Sequence, residues 1–224
     1  MSRNKAKTQN KSHTELVRLF AKTENQQRLI DSIAKYPITL CQGAAGVGKT
    51  LIALHEAYWL FDKGKISKIL YVKPIVDFSE QKSLGFLPGT IDEKVAPLLH
   101  PVIDNLSVFM SDAKAKYVID KKIIEFVPLE FLRGRSLRDT VVIGDEFQNA
   151  NPHCFLTLIS RIEESSKAIL LGDSCQKDAG SVDGLQDAFK RLANCPYVGR
   201  VNFTSDDITR SSFLKDVIRR YSYQ

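Results

Sequence analysis

The chain has 224 residues, 43% of them hydrophobic and 26% charged, and a formal net charge of +6. That is the make-up of a globular domain, and no run approaches the roughly 20 apolar residues a membrane span needs. Arg3, Lys5, Lys7 and Lys11 supply four of the positive charges within the first twelve residues, leaving +2 for the rest, so composition excludes a uniformly basic nucleic-acid-binding domain.

Residues 1–13 are polar and expected to be disordered. They lack the apolar stretch of a secretory signal, so a cytoplasmic protein is expected, in a host cytoplasm if phage-encoded. Such a basic arm can hold phosphate backbones without sequence preference, and a solvated tail that aids solubility fits equally well. Residues 14–224 are expected to form one domain. "TELVRLFAKTENQQRLIDSIAKY" has helical periodicity with a break near Lys22–Glu24. "PITLCQ" is a short apolar strand opened by Pro37. It runs into "GAAGVGKT", and "LIALHEAYWLF" continues as a helix. "KILYVKP" is a second strand. A loop around "SLGFLPGT" and helical segments through "LLHPVIDNLSVFM" follow, then strands at "IIEFVP" and "TVVIGDE". "NPHCFLTLISRIEE" reads as a helix with Asn151 as N-cap and Pro152 at its first position. "KAILLGD" is a strand, "GLQDAFKRLA" a helix, "VGRVNFT" a strand and "TRSSFLKDVIRRY" a closing helix. Strands that are continuous apolar runs and alternate with helices imply an α/β domain with a mostly parallel central sheet flanked by helices. Cys41, Cys154, Cys175 and Cys195 have no C-x-x-C spacing, so free buried thiols are expected rather than a zinc site.

"GAAGVGKT" fits G-x-x-x-x-G-K-[ST], between a strand and a helix as the motif requires. Gly43, Gly46 and Gly48 let backbone N–H groups turn toward phosphate oxygens, and Ala44, Ala45, Val47 and Leu51 complete the expected ATP-binding segment. Lys49 brings positive charge to the β- and γ-phosphates, the Thr50 hydroxyl is a Mg²⁺ ligand, and the helix N-terminus adds partial positive charge. Such a loop needs an acid near the metal. "VVIGDE" supplies Asp145 as the metal ligand and Glu146 as the base that orients and deprotonates the attacking water. A water-activating acid favours hydrolysis over phosphoryl transfer to a metabolite. In "KAILLGDSCQ", Asp173 and Gln176 lie at a strand end, where ligands of open parallel sheets gather. Gln176 is placed to reach the γ-phosphate or the attacking water, and the plainer reading is a polar turn.

The set "GAAGVGKT … DEFQN … GDSCQ" resembles the motor domain of superfamily-one helicases. More closely, "TENQQRLIDSI", "YVKPIV", "LGFLPGTIDEKVAPLLHPVIDNL", "IEFVPLEFLRGRSL" and "DDITRSSFLKDVIRRY" resemble the PhoH-like family of ATPases over about residues 23–221. The resemblance implies a single RecA-like P-loop NTPase domain, in a homo-oligomeric, hexameric ring acting on RNA or single-stranded DNA. It implies that Gln26 reads the adenine edge and that Arg210 senses the γ-phosphate or acts as an arginine finger. Arg133 and Arg135 are the other candidates for a finger across a subunit boundary. Three positions depart from the family pattern: Phe147 where alanine is usual, Lys73 where arginine is usual, and "VDGL" where S-G-L is usual.

One motor lobe cannot open and close around nucleotide by itself, so identical subunits are expected to supply the second. Phe78 and Phe86, flanked by Lys73 and Lys82, are where a nucleic-acid strand could stack, and core or interface packing is the commoner role for such residues. An ATPase that remodels a protein partner is the alternative.

Overall fold

The computed structural model describes residues 16–74, 91–132, 134–173, 176, 183–211, 213, 215–217 and 220. The basic tail, the 75–90 segment with Phe78, Lys82 and Phe86, and Arg133 lie outside them.

The chain runs α1 (Glu24–Lys35), β1 (Ile38–Gln42), α2 (Lys49–Asp62), β2 (Lys68–Lys73), α3 (Ile91–Leu106), α4 (Asp112–Asp120), β3 (Ile124–Pro128), β4 (Thr140–Gly144), α5 (Pro152–Ile159), β5 (Lys167–Gly172), α6 (Gly184–Arg191) and β6 (Val198–Asn202). The six strands form one sheet in the order β3-β2-β4-β5-β1-β6, and every pairing is parallel. Parallel neighbours need crossovers, and the helices that make them cover both faces. Consecutive strand residues therefore bury on opposite sides. Cys41, Tyr71, Val141, Ile143, Ile169 and Leu171 enter one core, beside residues of α1, α2, α3 and α4. Leu40, Leu70, Val72, Val142 and Leu170 enter the other, under α5 and α6. All six strands end at the same edge of the sheet, and the functional loops leave from there.

The expected α/β architecture is present, and several boundaries move. The first helix begins only at Glu24, capped by the Thr23 hydroxyl, which accepts from the Gln26 N–H at 3.3 Å. Leu16–Ala21, expected to be helical, is not. Its N–H groups bond elsewhere: Val17 to the Phe109 carbonyl (3.2 Å) and Leu19 to His55 Nε2 (3.3 Å). The helix after Pro152 ends at Ile159, not near Glu164. An isolated parallel bridge pairs Leu137 with Ile162, through Leu137 N–H to Arg161 O and Glu163 N–H to Leu137 O, and pulls the chain out of helix. β6 stops at Asn202, because Thr204 caps the next turn, Ser205–Asp207. Of the closing helix, Phe213, Lys215–Val217 and Arg220 are helical among the described residues. Among the described residues no helix is long and apolar enough to cross a membrane.

Candidate active site

β1 delivers the glycine-rich loop to the strand-end edge. Gly43 N–H bonds the carbonyl of Gly172 at the end of β5 (3.1 Å), and Phe203 N–H bonds Gln42 O (2.8 Å). A side chain at 43 would meet Phe203 Cβ at 2.4 Å, so that glycine is fixed by packing. Gly46 and Gly48 have φ of 83° and 90°, conformations that L side chains rarely adopt. Gly48 is the N-cap of α2 with no side-chain cap, so the first-turn N–H groups are left for an anion. Lys49 Nζ donates to Gly43 O (2.6 Å) and Ala44 O (2.9 Å), which holds the ammonium over its own loop.

β4 delivers the acids. Asp145 is buried, and its Oδ2 accepts from Thr50 Oγ1 at 3.1 Å and from the Tyr71 hydroxyl. Its Oδ1 accepts from the Glu146 N–H at 3.0 Å. Burial pushes the Asp145 carboxyl pKa up, and the neighbouring Glu146 adds to the rise. The Tyr71 bond and the Lys49 and Lys73 charges oppose it without cancelling it. Burial, with Asp145 beside it, also drives the Tyr71 hydroxyl pKa upward, so Tyr71 stays a donor. Glu146 follows in the left-handed region (φ 56°, ψ 36°). A non-glycine residue held there costs roughly 1–3 kcal/mol, a strain that gathers at functional sites. The bend re-aims the chain: Phe147 turns into the core while Glu146 lines the cleft. Phe147, the departure from the family pattern, is fully buried against Gly144, whose missing Cβ would lie 2.4 Å from its ring. It packs beneath the acids instead of crowding them.

The cleft has a volume of about 230 Å³ and is lined by Ala45, Gly46, Gly48, Lys49, Thr50, Leu51, Asn105, Asp145, Glu146, Gly172, Asp173, Gln176 and Arg210. It unites the two motifs with Gln176 and Arg210. The Arg210 side chain lies over Gly46, its Cγ 2.9 Å from where a Cβ would stand. Thr209 anchors that segment, its N–H and hydroxyl each 3.2 Å from Gly46 O. Asp207 ties the same segment to α1 through Asn25 Nδ2 (2.8 Å) and closes a capping box with Thr204. Arg210 therefore reaches the cleft of its own chain. Arg135 does not line it; its guanidinium pairs with Glu125 at 3.4 Å. Gln26 is buried, with Nε2 donating to Val47 O (2.9 Å) and Oε1 accepting from Lys22 N–H (2.7 Å). It braces the phosphate loop from behind and is not among the cleft-lining residues.

Three contributors escaped the sequence reading. Tyr71 is the one hydroxyl-bearing side chain in "KILYVK", a signal that a polar group lies inside that core. Gln148 is fully buried, and an amide two residues after a candidate base carries a similar signal. Asn105 had none, because its place depends on how α3 docks.

The donor set fits Mg²⁺. This ion takes one or two protein oxygens and fills its octahedron with water and phosphate oxygens. Thr50 Oγ1 and Asp145 Oδ2 are adjacent, and among the described residues no group of three acidic, histidine or cysteine side chains offers an all-protein cage.

The family model for PhoH-like proteins matches residues 18–222. A PhoH-like protein of Bacillus subtilis is 33% identical over 205 residues, covering 91% of this chain and 64% of the relative. One from Synechocystis is 34% identical over 209 residues, covering 92% and 62%. The chain spans about three fifths of the length of such relatives. Among solved structures, the large terminase of a thermophilic bacteriophage in complex with ADP superposes with a TM-score of 0.55 at 12% identity, over 88% of this chain and 50% of the terminase. That likeness concerns the fold, which is the RecA-like P-loop ATPase fold. The chain belongs to the PhoH-like family.

Proposed function

We propose that this PhoH-like chain is a Mg²⁺-dependent ATP hydrolase that works as a homo-oligomeric ring on RNA or single-stranded DNA. The observation that carries the hydrolase reading is the 3.1 Å contact between Thr50 and Asp145, which joins the phosphate loop to an acid pair in one cleft with Lys49. Bound Mg²⁺ supplies neutralisation of phosphate charge and would be held by Thr50 and Asp145. Gly43–Thr50 grip the phosphates through backbone N–H groups, and Lys49 offsets charge on the β- and γ-oxygens. Glu146 takes the proton of the attacking water. Gln176 positions that water or the γ-phosphate. Arg210 offers positive charge to the γ-phosphate from within the same chain, which supports a sensor role for it.

The ring and its nucleic-acid track rest on the resemblance to the family. The test is ATP turnover by the purified protein with Mg²⁺, with and without single-stranded RNA and DNA, beside its mass by light scattering. A ring whose turnover rises with one nucleic acid is expected. A steady rate indifferent to both would replace the track with a protein partner, and a fully active monomer would remove the ring. Lys49→Ala should abolish hydrolysis, and unchanged turnover would refute the phosphate-loop assignment.

A further inference from the structure

Gln148 is polar, fully buried and outside the cleft lining. Its carboxamide nevertheless touches three parts of the site. Nε2 donates to Glu146 Oε2 at 2.6 Å and lies 3.5 Å from the Gln176 carbonyl. Oε1 accepts from the Asp173 N–H at 3.0 Å. Only this orientation of the amide satisfies all three contacts, because the flipped one sets Nε2 against an N–H and Oε1 against a carboxylate. The backbone is shaped around it. Gly172, where β5 ends, would place a Cβ 2.9 Å from Gln148 Oε1 and 3.1 Å from its backbone N. A side chain there would push the amide off β5. The turn Phe147–Asn149 that presents Gln148 is braced by Asn149 N–H to Glu146 O (3.0 Å) and by buried Phe147. On the far side, Gln176 N–H bonds Asp173 O (2.9 Å), which ties these two residues to each other.

We propose, on the hydrolase reading of this cleft, that Gln148 is a positioning residue for that reaction: its amide sets the Glu146 carboxylate and couples it to Asp173 and Gln176. One amide hydrogen holds the base and the other faces the carbonyl of Gln176. When Gln176 engages a γ-phosphate, the shift of its backbone reaches Glu146 through a single rigid planar group. Water activation is thereby tied to occupancy of the γ-phosphate position.

Gln148→Met keeps the length of the side chain and removes every polar contact, and Gln148→Glu replaces the donor with a second carboxylate facing Glu146. Both should bind the β,γ-imido analogue of ATP with Mg²⁺ within about threefold of wild type while kcat falls about 10- to 100-fold. A structural role alone would lower melting temperature and affinity together. The double variant Gln148→Met with Gln176→Ala should lose no more rate than the worse single one, as expected of residues acting as a unit. Wild-type turnover with kcat unchanged in Gln148→Met, or fully additive losses, overturns the relay and leaves the hydrolase intact. A wild type that binds ATP and Mg²⁺ without hydrolysing it overturns the hydrolase reading and the relay with it. Should neither variant fold, the wild type still decides by NMR. One slowly exchanging glutamine side-chain amide must shift on Glu146→Gln and on adding the imido analogue, and absence of such a signal refutes the coupling.

Discussion

Phe147 and Gly144 can be tested as a pair, since the ring occupies the space in which a residue-144 Cβ would stand. Phe147 has no exposed surface, and emptying such a site by Phe→Ala costs roughly 3–5 kcal/mol. In a chain of this size each kcal/mol moves Tm by roughly 2–4 °C, so Phe147→Ala should melt roughly 6–20 °C lower. Gly144→Ala drives a methyl to 2.4 and 2.8 Å from two ring atoms and 2.7 Å from Leu170 Cδ2, an overpacking worth roughly 1–3 kcal/mol. In the double variant the ring is gone and the methyl enters the space it left. Of the three nearest contacts Leu170 Cδ2 remains, at the end of a side chain that can rotate. The double variant should therefore be more stable than the sum of the single losses by about 1–2 kcal/mol. Urea unfolding of the four proteins, with m compared across them, measures the coupling. Losses that add within about 0.5 kcal/mol, or a Phe147→Ala cost below about 1 kcal/mol, would show that the ring does not fill this space.

Glu146→Gln should keep ATP bound and slow phosphate release by about 10²–10⁴-fold; near-normal release would assign water activation to another residue. Tyr71→Phe removes a donor to Asp145, whose carboxyl pKa burial already raises. With the carboxylate less favoured, the acidic limb of the ATP turnover profile should move to higher pH, and an unmoved limb would count Tyr71 out. Asp207 is the opposite case. Burial pushes its carboxyl up, but bonds from the Thr204 backbone and from Thr23, Asn25 and Thr204 side chains hold it below its ordinary 3.8. A depressed folded pKa stabilises above the unfolded value and is lost as pH falls through the folded one. Asp207→Asn should therefore lower urea stability at pH 7 and make little difference well below about pH 4; an equal loss at both pH values would refute the linkage.

The fold was legible because each strand is a short apolar run with a helical pattern between. Its edges were less so, since they are set by partners far along the chain. Leu16–Ala21 has helical periodicity, yet its N–H groups are held by Phe109 and His55. Ile162 leaves the pattern of α5 for a bridge to Leu137, 25 positions away. Motifs that carry their own spacing meet in the cleft: Ala45, Gly46 and Gly48–Leu51 of the loop segment line it with Asp145, Glu146, Gln176 and Arg210, while Gly43, Ala44 and Val47 do not. Gln26, assigned from the family pattern, has a structural role as well. Its amide bonds Lys22 and Val47 and so braces the phosphate loop, a contact set by the fold that the local sequence does not signal.

Why two adjacent acids are tolerated at the end of a buried strand follows from the strand order. β5 lies between β1 and β4, so the phosphate loop and the acid pair leave the sheet two strand spacings apart, about 10 Å. That gap is wide enough for phosphates. Side chains bridge it: Thr50 from α2 reaches Asp145 after β4, and Gln148 from the turn after β4 reaches Asp173 at the end of β5. Each acid thereby receives protein donors before any cation arrives. Asp145 takes Thr50, Tyr71 and a backbone N–H, and Glu146 takes Gln148. Donors lower the cost of desolvation but bring no positive charge. Positive charge reaches Asp145 from Lys49 and Lys73, whose effect is outweighed by burial. On the proposed reading, a divalent cation held between Thr50 and Asp145 would add further counter-charge to the pair.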